Sequence, residues 1–168
     1  MKYLFIIRHG KAAFGEPQFD DFDRPLTSFG KQTVTDLSSQ SVVLGITPDV
    51  VLCSTARRTR ETLAGLQDIL PSHCKIVFDD DLYLASRPLL VTKIQETEDE
   101  YSALMLVGHN PGLEQLLSWL IGDDTDSSLI KFLPPCGFVK LAFNVDSWDG
   151  IKQGSALLKN YVVPEETM

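Results

Sequence analysis

The sequence predicts an α/β fold built on a mainly parallel sheet. Three observations support this. Short apolar runs at residues 4–7, 50–53 and 103–107 alternate with stretches of helical periodicity, the order that builds parallel sheets. The runs lack polar alternation, as strands do when helices cover both sheet faces. Each run also passes directly into polar residues that open a loop or a helix, so the polar groups gather at the carboxyl ends of strands.

Taken in order, residues 4–7 form a buried strand that runs into Arg8-His9-Gly10, where Gly10 allows a sharp turn. Residues 11–27, rich in Asp, Phe and Pro, read as a loop over the sheet edge. Thr27 or Ser28 caps a helix that runs to about Ser41, with Val34 and Leu37 inward. Pro48 ends the connection, and residues 50–53 form a second strand. Ser54 or Thr55 suits the N-cap of the next helix, whose inner face is Leu63, Leu66 and Leu70. Arg57, Arg58 and Arg60 then fall in its first turn. Cations oppose the macrodipole there, so a resting anion would explain them.

Residues 75–78 form a third strand, followed by the solvated acidic turn Asp79-Asp80-Asp81. Ser86 caps a helix through about Thr97. Residues 103–107 form a strand that ends in Gly108-His109-Asn110-Pro111-Gly112. Asn110 suits an N-cap and Pro111 the first helical position, with Leu113, Leu116, Leu117, Leu120 and Ile121 as the buried face. Val139, Leu141, Phe143 and Val145 alternate along a further strand. Asp149-Gly150 marks a turn, and residues 156–163 are the last strand. No helix separates these two strands, so one of them runs antiparallel. The tail from Pro164 reads as frayed.

The 168 residues, 43% hydrophobic, fit one domain spanning 1–168. A formal net charge of −8 argues against nucleic acid, which needs a basic stripe. The odd cysteine count (Cys53, Cys74 and Cys136) has no metal spacing, which argues against a disulfide framework and for a reducing cytoplasm. The first apolar run is too short for a signal peptide, and no stretch approaches the roughly 20 apolar residues of a membrane span. No motif implies a metal or a cofactor. Arg57 and Arg60 read as surface charges, His73 as a loop residue, and Trp119 and Trp148 as packing residues.

Arg8-His9, Arg58 and His109 stand at three strand-to-helix junctions, which a parallel sheet brings to one edge. Imidazole and guanidinium groups together suit phosphoryl transfer. A neutral His9 attacks phosphorus, and Arg8 and Arg58 hold the phosphoryl oxygens and spread their charge. His109 donates a further hydrogen bond if protonated. Nearby arginines lower its pKa and bound phosphate raises it.

This pattern resembles the histidine phosphatase superfamily, which is phosphoglycerate mutase-like, and within it the SixA-type phosphohistidine phosphatase branch. The matching pieces are Arg8-His9-Gly10, Arg24-Pro25-Leu26-Thr27 with Gly30, Ser54-x-Ala56-x-Arg58-Thr59-x-Glu61-Thr62, Leu82-Tyr83-x-Ala85, and Val107-Gly108-His109-Asn110-Pro111-Gly112. The resemblance implies a three-layer α/β/α sandwich with a six-stranded mixed sheet. It implies His9 as nucleophile with Arg8, Arg58 and His109, and a substrate pocket of Arg8, Gly10, Arg24, Arg58, His109 and Asn110. Arg57 is the register rival of Arg58.

Larger members carry an acid on an inserted segment. Residues 85–101 are too short for one, and Glu16, Asp20, Asp21 and Asp23, the nearest loop acids, match no family position. A phosphohistidine leaves as imidazole and needs less acid help. The expected substrate is therefore a phosphohistidine-containing protein, with inorganic phosphate as product. A small phosphorylated substrate, a mutase reaction and an inactive phosphate-binding module are the alternatives.

Overall fold

Residues 4–7 lie in the interior of the sheet. β1 (Lys2–Arg8) pairs in parallel with β4 (Ala103–Gly108) and antiparallel with β5 (Phe138–Phe143). β2 (Val50–Ser54) lies in parallel between β4 and β3 (Lys75–Asp79), and β6 (Leu157–Val162) is antiparallel to β5. The computed structural model describes residues 1–15, 17–18, 20–122 and 132–165. Within these the six strands follow the order β3-β2-β4-β1-β5-β6. β5 runs against the rest, so it is the antiparallel member of the last pair.

Alternation along β1 divides its side chains between two cores. Leu4 and Ile6 join a cluster that includes Leu90 and Ile94 of α4 (Arg87–Gln95) and the leucines of α5 (Gly112–Ile121). Phe5 and Ile7 join a second cluster with Val34 and Leu37 of α1 (Ser28–Ser39) and Leu63 and Leu66 of α3 (Arg57–Leu66). The result is three layers, α/β/α. Cover on both faces is why the central strands read as continuous apolar runs. Trp148 is fully buried in the first cluster, whereas Trp119 is partly buried at its edge beneath the Arg87 guanidinium.

Several boundaries differ from expectation. The first helix ends at Ser39, and a separate turn of helix, α2 (Ser41–Leu44), follows and closes at Gly45, which has φ 61°. α4 ends at Gln95 rather than near Thr97. Thr27 and Ser86 cap α1 and α4 as expected, accepting from the Gly30 and Leu89 N–H groups. Neither α3 nor α5 has a side-chain cap. Ser54 stays in β2, and α3 starts after Ala56. Asn110 turns its amide toward Glu114 and the Leu133 carbonyl, and α5 starts at Gly112. Strand β5 ends before Val145. It is buried on both faces, Phe138 and Ala142 included, because β1 and β6 flank it under helical cover. The acidic turn is partnered rather than simply solvated: Asp79 and Asp81 hold Lys93, and Asp80 accepts the Thr55 hydroxyl.

Gly10 does not have positive φ. Its constraint is space, since a Cβ there would stand 3.0 Å from the Gly30 carbonyl. Gly30 is tighter still, with a Cβ only 2.3 Å from the Lys11 carbonyl. The pair lets α1 press against the loop that leaves β1. Among the described residues no helix is long and apolar enough to cross a membrane. Glu16 and the last residues of the tail, 166–168, lie outside the described residues.

Candidate active site

Sheet register brings the site together. Arg8 is paired with Gly108, and Cys53 with Val107, so His9, Ser54 and His109 emerge side by side at the carboxyl edge. The His9 and His109 rings lie 5.3 Å apart, centroid to centroid. Arg58 reaches the same point from the first turn of α3, its Nε donating to His9 Nε2 at 3.3 Å. Arg57 instead pairs with Glu61 on the helix surface, so the register choice falls on Arg58.

His9 is only 8% exposed. Burial first, then the Arg58 and Arg8 charges, lower its pKa to about 4, against the hydrogen bond to Gly10. The ring is therefore neutral at pH 7. Its Nδ1 lies 2.7 Å from the Gly10 carbonyl oxygen, which can only accept. The single proton must then sit on Nδ1, and the lone pair on Nε2. The Gly10 N–H donates to Thr62 Oγ1, whose hydroxyl donates to the Arg58 carbonyl. This chain ties the loop that carries His9 to the helix that carries Arg58. It also spends the Gly10 N–H away from the cleft, so Gly10 positions His9 rather than facing a substrate.

His109 is held neutral too. Burial, then the neighbouring His9 and Arg58, lower its pKa to about 3. Its Nε2 lies 2.8 Å from Ser54 Oγ, which also accepts from the Ala56 N–H. When the Ser54 hydroxyl donates to Nε2, the single His109 proton sits on Nδ1. His109 Nδ1, Arg8 Nε and Asn110 Oδ1 are buried and have no hydrogen-bond partner among the described residues. Arg8 Nε is a donor, and His109 Nδ1 is one in the tautomer in which Ser54 donates to Nε2, as an oxyanion site requires.

The cleft has a volume of about 960 Å³, and Arg8, His9, Lys11, Arg24, Arg58 and His109 contribute to its lining. Among the described residues no Asp or Glu lines it. Arg8 is anchored by Nη1 to the Leu133 carbonyl, which also accepts from Asn110. Glu114 accepts from Asn110 and from the Leu133 N–H and so fixes that corner. Asn110 thus reaches the cleft but spends its amide on structure.

Sequence reasoning named Asp21 without giving it a role. The structure places it beside Arg58. Its carbonyl accepts from Arg58 Nη1 at 2.7 Å and its carboxylate from Nη2 at 3.2 Å. The carboxylate also accepts from Arg24 Nη1 at 2.9 Å and from the Tyr83 hydroxyl. The Tyr83 bond, with Arg24 and Arg58, lowers the Asp21 pKa to about 2. Asp21 therefore links two arginines and is ionised at neutral pH. Its spacing three residues before Arg24 in a loop next to Pro25 was the available signal. Ser54, Thr62 and Glu114 were missed because each acts on a partner distant in sequence. Glu61 accepts from the Leu26 N–H and so ties α3 to the Arg24-Pro25-Leu26-Thr27 stretch.

Other candidates lie elsewhere. His73 bonds Asp49 at 2.9 Å on the surface. The three cysteines are free, and burial pushes the Cys53 and Cys136 thiols up to about 12 and about 11. Among the described residues no three His, Cys, Asp or Glu side chains gather to hold a metal ion.

Two imidazoles and two guanidiniums stand together at the carboxyl edge of this sheet, and the chain is similar to phosphatases of the histidine phosphatase superfamily, with a phosphoglycerate mutase-like fold. Its likeness within that superfamily is to SixA proteins. A candidate phosphohistidine phosphatase SixA from Agrobacterium tumefaciens superposes with a TM-score of 0.81 at 29% identity, covering 97% of this chain and 99% of that one. A corresponding SixA structure from Nakamurella multipartitia gives a TM-score of 0.85 at 24% identity, with 97% and 96% covered. An uncharacterised chloroplastic protein of Arabidopsis thaliana is 28% identical over 157 residues, 87% of this chain and 68% of that protein. No protein-family model matches the chain.

Proposed function

We propose that the protein hydrolyses phosphohistidine on a protein substrate through a covalent phosphohistidine on His9, without a metal. His9 Nε2 attacks phosphorus as the bond to the leaving nitrogen breaks. A substrate imidazole that carries a proton on its other nitrogen departs neutral. Arg8, Arg58 and the His109 Nδ1–H hold the three phosphoryl oxygens, with Arg24 at the rim. Water then attacks the phosphoenzyme, the N–P bond electrons return to Nε2, and dihydrogen phosphate leaves.

One observation favours this substrate class: among the described residues the site holds no carboxylic acid or imidazolium that can hand a proton to a leaving group at neutral pH. His109 is neutral, with a pKa of about 3, and Asp21 is ionised, with a pKa of about 2. An alkoxide of a sugar needs such a proton, whereas imidazole does not. The phosphohistidine phosphatase name of the Agrobacterium neighbour supports the same reading. The test is a side-by-side assay on a phosphohistidine protein, a phosphotyrosine peptide and sugar phosphates. The expected result is far faster turnover of the phosphohistidine protein, and equal rates would reject the assignment.

A further inference from the structure

The floor of the cleft is cationic, and its rim is apolar. Five of the eleven exposed large apolar side chains among the described residues line this one cleft: Phe14, Phe29, Leu84, Phe132 and Val163. Phe14 is 84% exposed and Phe132 61%. They rise from five separate stretches of chain: the loop after β1, the first turn of α1, the β3–α4 connection, the approach to β5, and the residue after β6. Scattered apolar side chains on a surface are ordinary, but a ring of them around one depression marks an interaction site.

Leu84 adds a second, independent sign. Its φ is 51°, in the left-handed region that suits glycine or asparagine and strains a leucine. Its side chain is still 54% exposed, so the strain does not serve the core. Backbone strain of this kind collects at binding sites.

We infer that these five side chains form a docking collar for a folded protein whose phosphorylated side chain stands within an apolar patch. This rests on the reading of the floor as the phosphoryl site. Charge agrees with it: the chain is acidic overall, yet among the described residues the cleft is lined by cations and no carboxylate, so an anion belongs at its centre. Chemistry above that centre separates the occupants. The hydroxyls of a sugar phosphate would face phenylalanine, leucine and valine and lose their hydrogen bonds. A small apolar phosphate could touch one wall but would leave side chains on five stretches uncovered. A protein face covers them together, and buried aromatic anchors dominate such contacts.

The test uses Leu84→Asn, Phe132→Ser and Phe14→Ser, singly and combined. Asparagine accepts the left-handed backbone at position 84, and the other two side chains are exposed, so all should fold. Four probes are compared: phosphoramidate, a short unstructured phosphohistidine peptide, phenyl phosphate, and a folded phosphocarrier protein bearing one surface phosphohistidine. The expected result is a loss of about tenfold in kcat/KM on the folded protein for each variant, expressed in KM, with phosphoramidate and peptide turnover unchanged. Unchanged rates on the folded protein would overturn the collar. So would a parallel loss on phosphoramidate, which would place these side chains in the chemical site. A loss on phenyl phosphate alone would assign the rim to a small apolar ligand and overturn it too. A wild-type protein inactive on every N–P substrate would instead reject the proposed function, and the collar with it.

Discussion

The Gly10 carbonyl oxygen, 2.7 Å from His9 Nδ1, decides which nitrogen of the neighbouring neutral imidazole keeps its lone pair. Because a carbonyl only accepts, the neutral ring presents its lone pair at Nε2, on the side of Arg58.

Activity on phosphoramidate should therefore depend on His9 remaining neutral. The His9 pKa lies at about 4, so protonation removes the nucleophile only below that value. The expected kcat/KM profile is flat from neutral pH to about pH 5 and falls about tenfold per unit below about pH 4. An acid limb centred near 6.5 would contradict the buried, arginine-flanked ring. His9→Ala should fold and lose turnover completely, and residual covalent phosphoenzyme in that variant would contradict the assignment.

Both histidines also link stability to pH. Their folded pKa values, about 4 and about 3, lie below the ordinary value of 6.5. The unfolded chain therefore binds protons first as pH falls. The stability that depends on neutral imidazoles is complete above about pH 6.5 and declines steadily as pH drops toward 4. Each histidine contributes on the order of 2–4 kcal/mol to that loss. Denaturant titrations at several pH values check this, and His109→Gln should flatten the slope. An equal slope in that variant would assign the effect to other groups.

Ser54→Ala removes the hydroxyl that meets His109 Nε2 at 2.8 Å in a fully buried position. The imidazole nitrogen is then left without a partner, which costs about 1–3 kcal/mol. The ring loses its fixed tautomer, and kcat is expected to fall about tenfold or more while KM for small substrates changes little. Unchanged kcat would show that His109 is held by packing alone.

Asp21→Asn tests whether the Asp21 carboxylate positions Arg58. Asn keeps the size but weakens the bonds to Arg58 Nη2, Arg24 Nη1 and the Tyr83 hydroxyl. The expected result is a loss of about tenfold in kcat/KM, together with a downward move of the His9 titration followed by NMR, because the charges of Arg58 and Arg24 are no longer offset. Arg58 is one of the cations that hold His9 down, with Arg8 from β1 and Arg24 from the loop facing the same ring beside His109. A drop in activity with no move in the His9 titration would mean that Asp21 acts only through the fold.

Much of this was legible before any coordinates. Strand runs at residues 4–7, 50–53 and 103–107 could be read because sheet burial on two faces demands continuous apolar side chains. Thr27 and Ser86 declared their helices because a cap is a contact over three residues. The same local logic misplaced Ser54 and Asn110. Both are good capping residues, but their partners, His109 for one and Glu114 with Leu133 for the other, include groups far away along the chain. Val145 was read into a strand that ends at Phe143, because alternation continues past the point where pairing stops.

Composition and local pattern, then, were enough for the α/β class and for the candidates His9, Arg8, Arg58 and His109. These depend on short-range periodicity and on residue chemistry. The pairing of β1 with β4 and β5 decided the rest. It set the 5.3 Å separation of the two rings, drew Asp21 and Tyr83 onto Arg58, and turned the Gly10 N–H away from the cleft. Such relations join residues tens of positions apart, and strand register and loop packing, which no local pattern encodes, bring them within hydrogen-bonding distance.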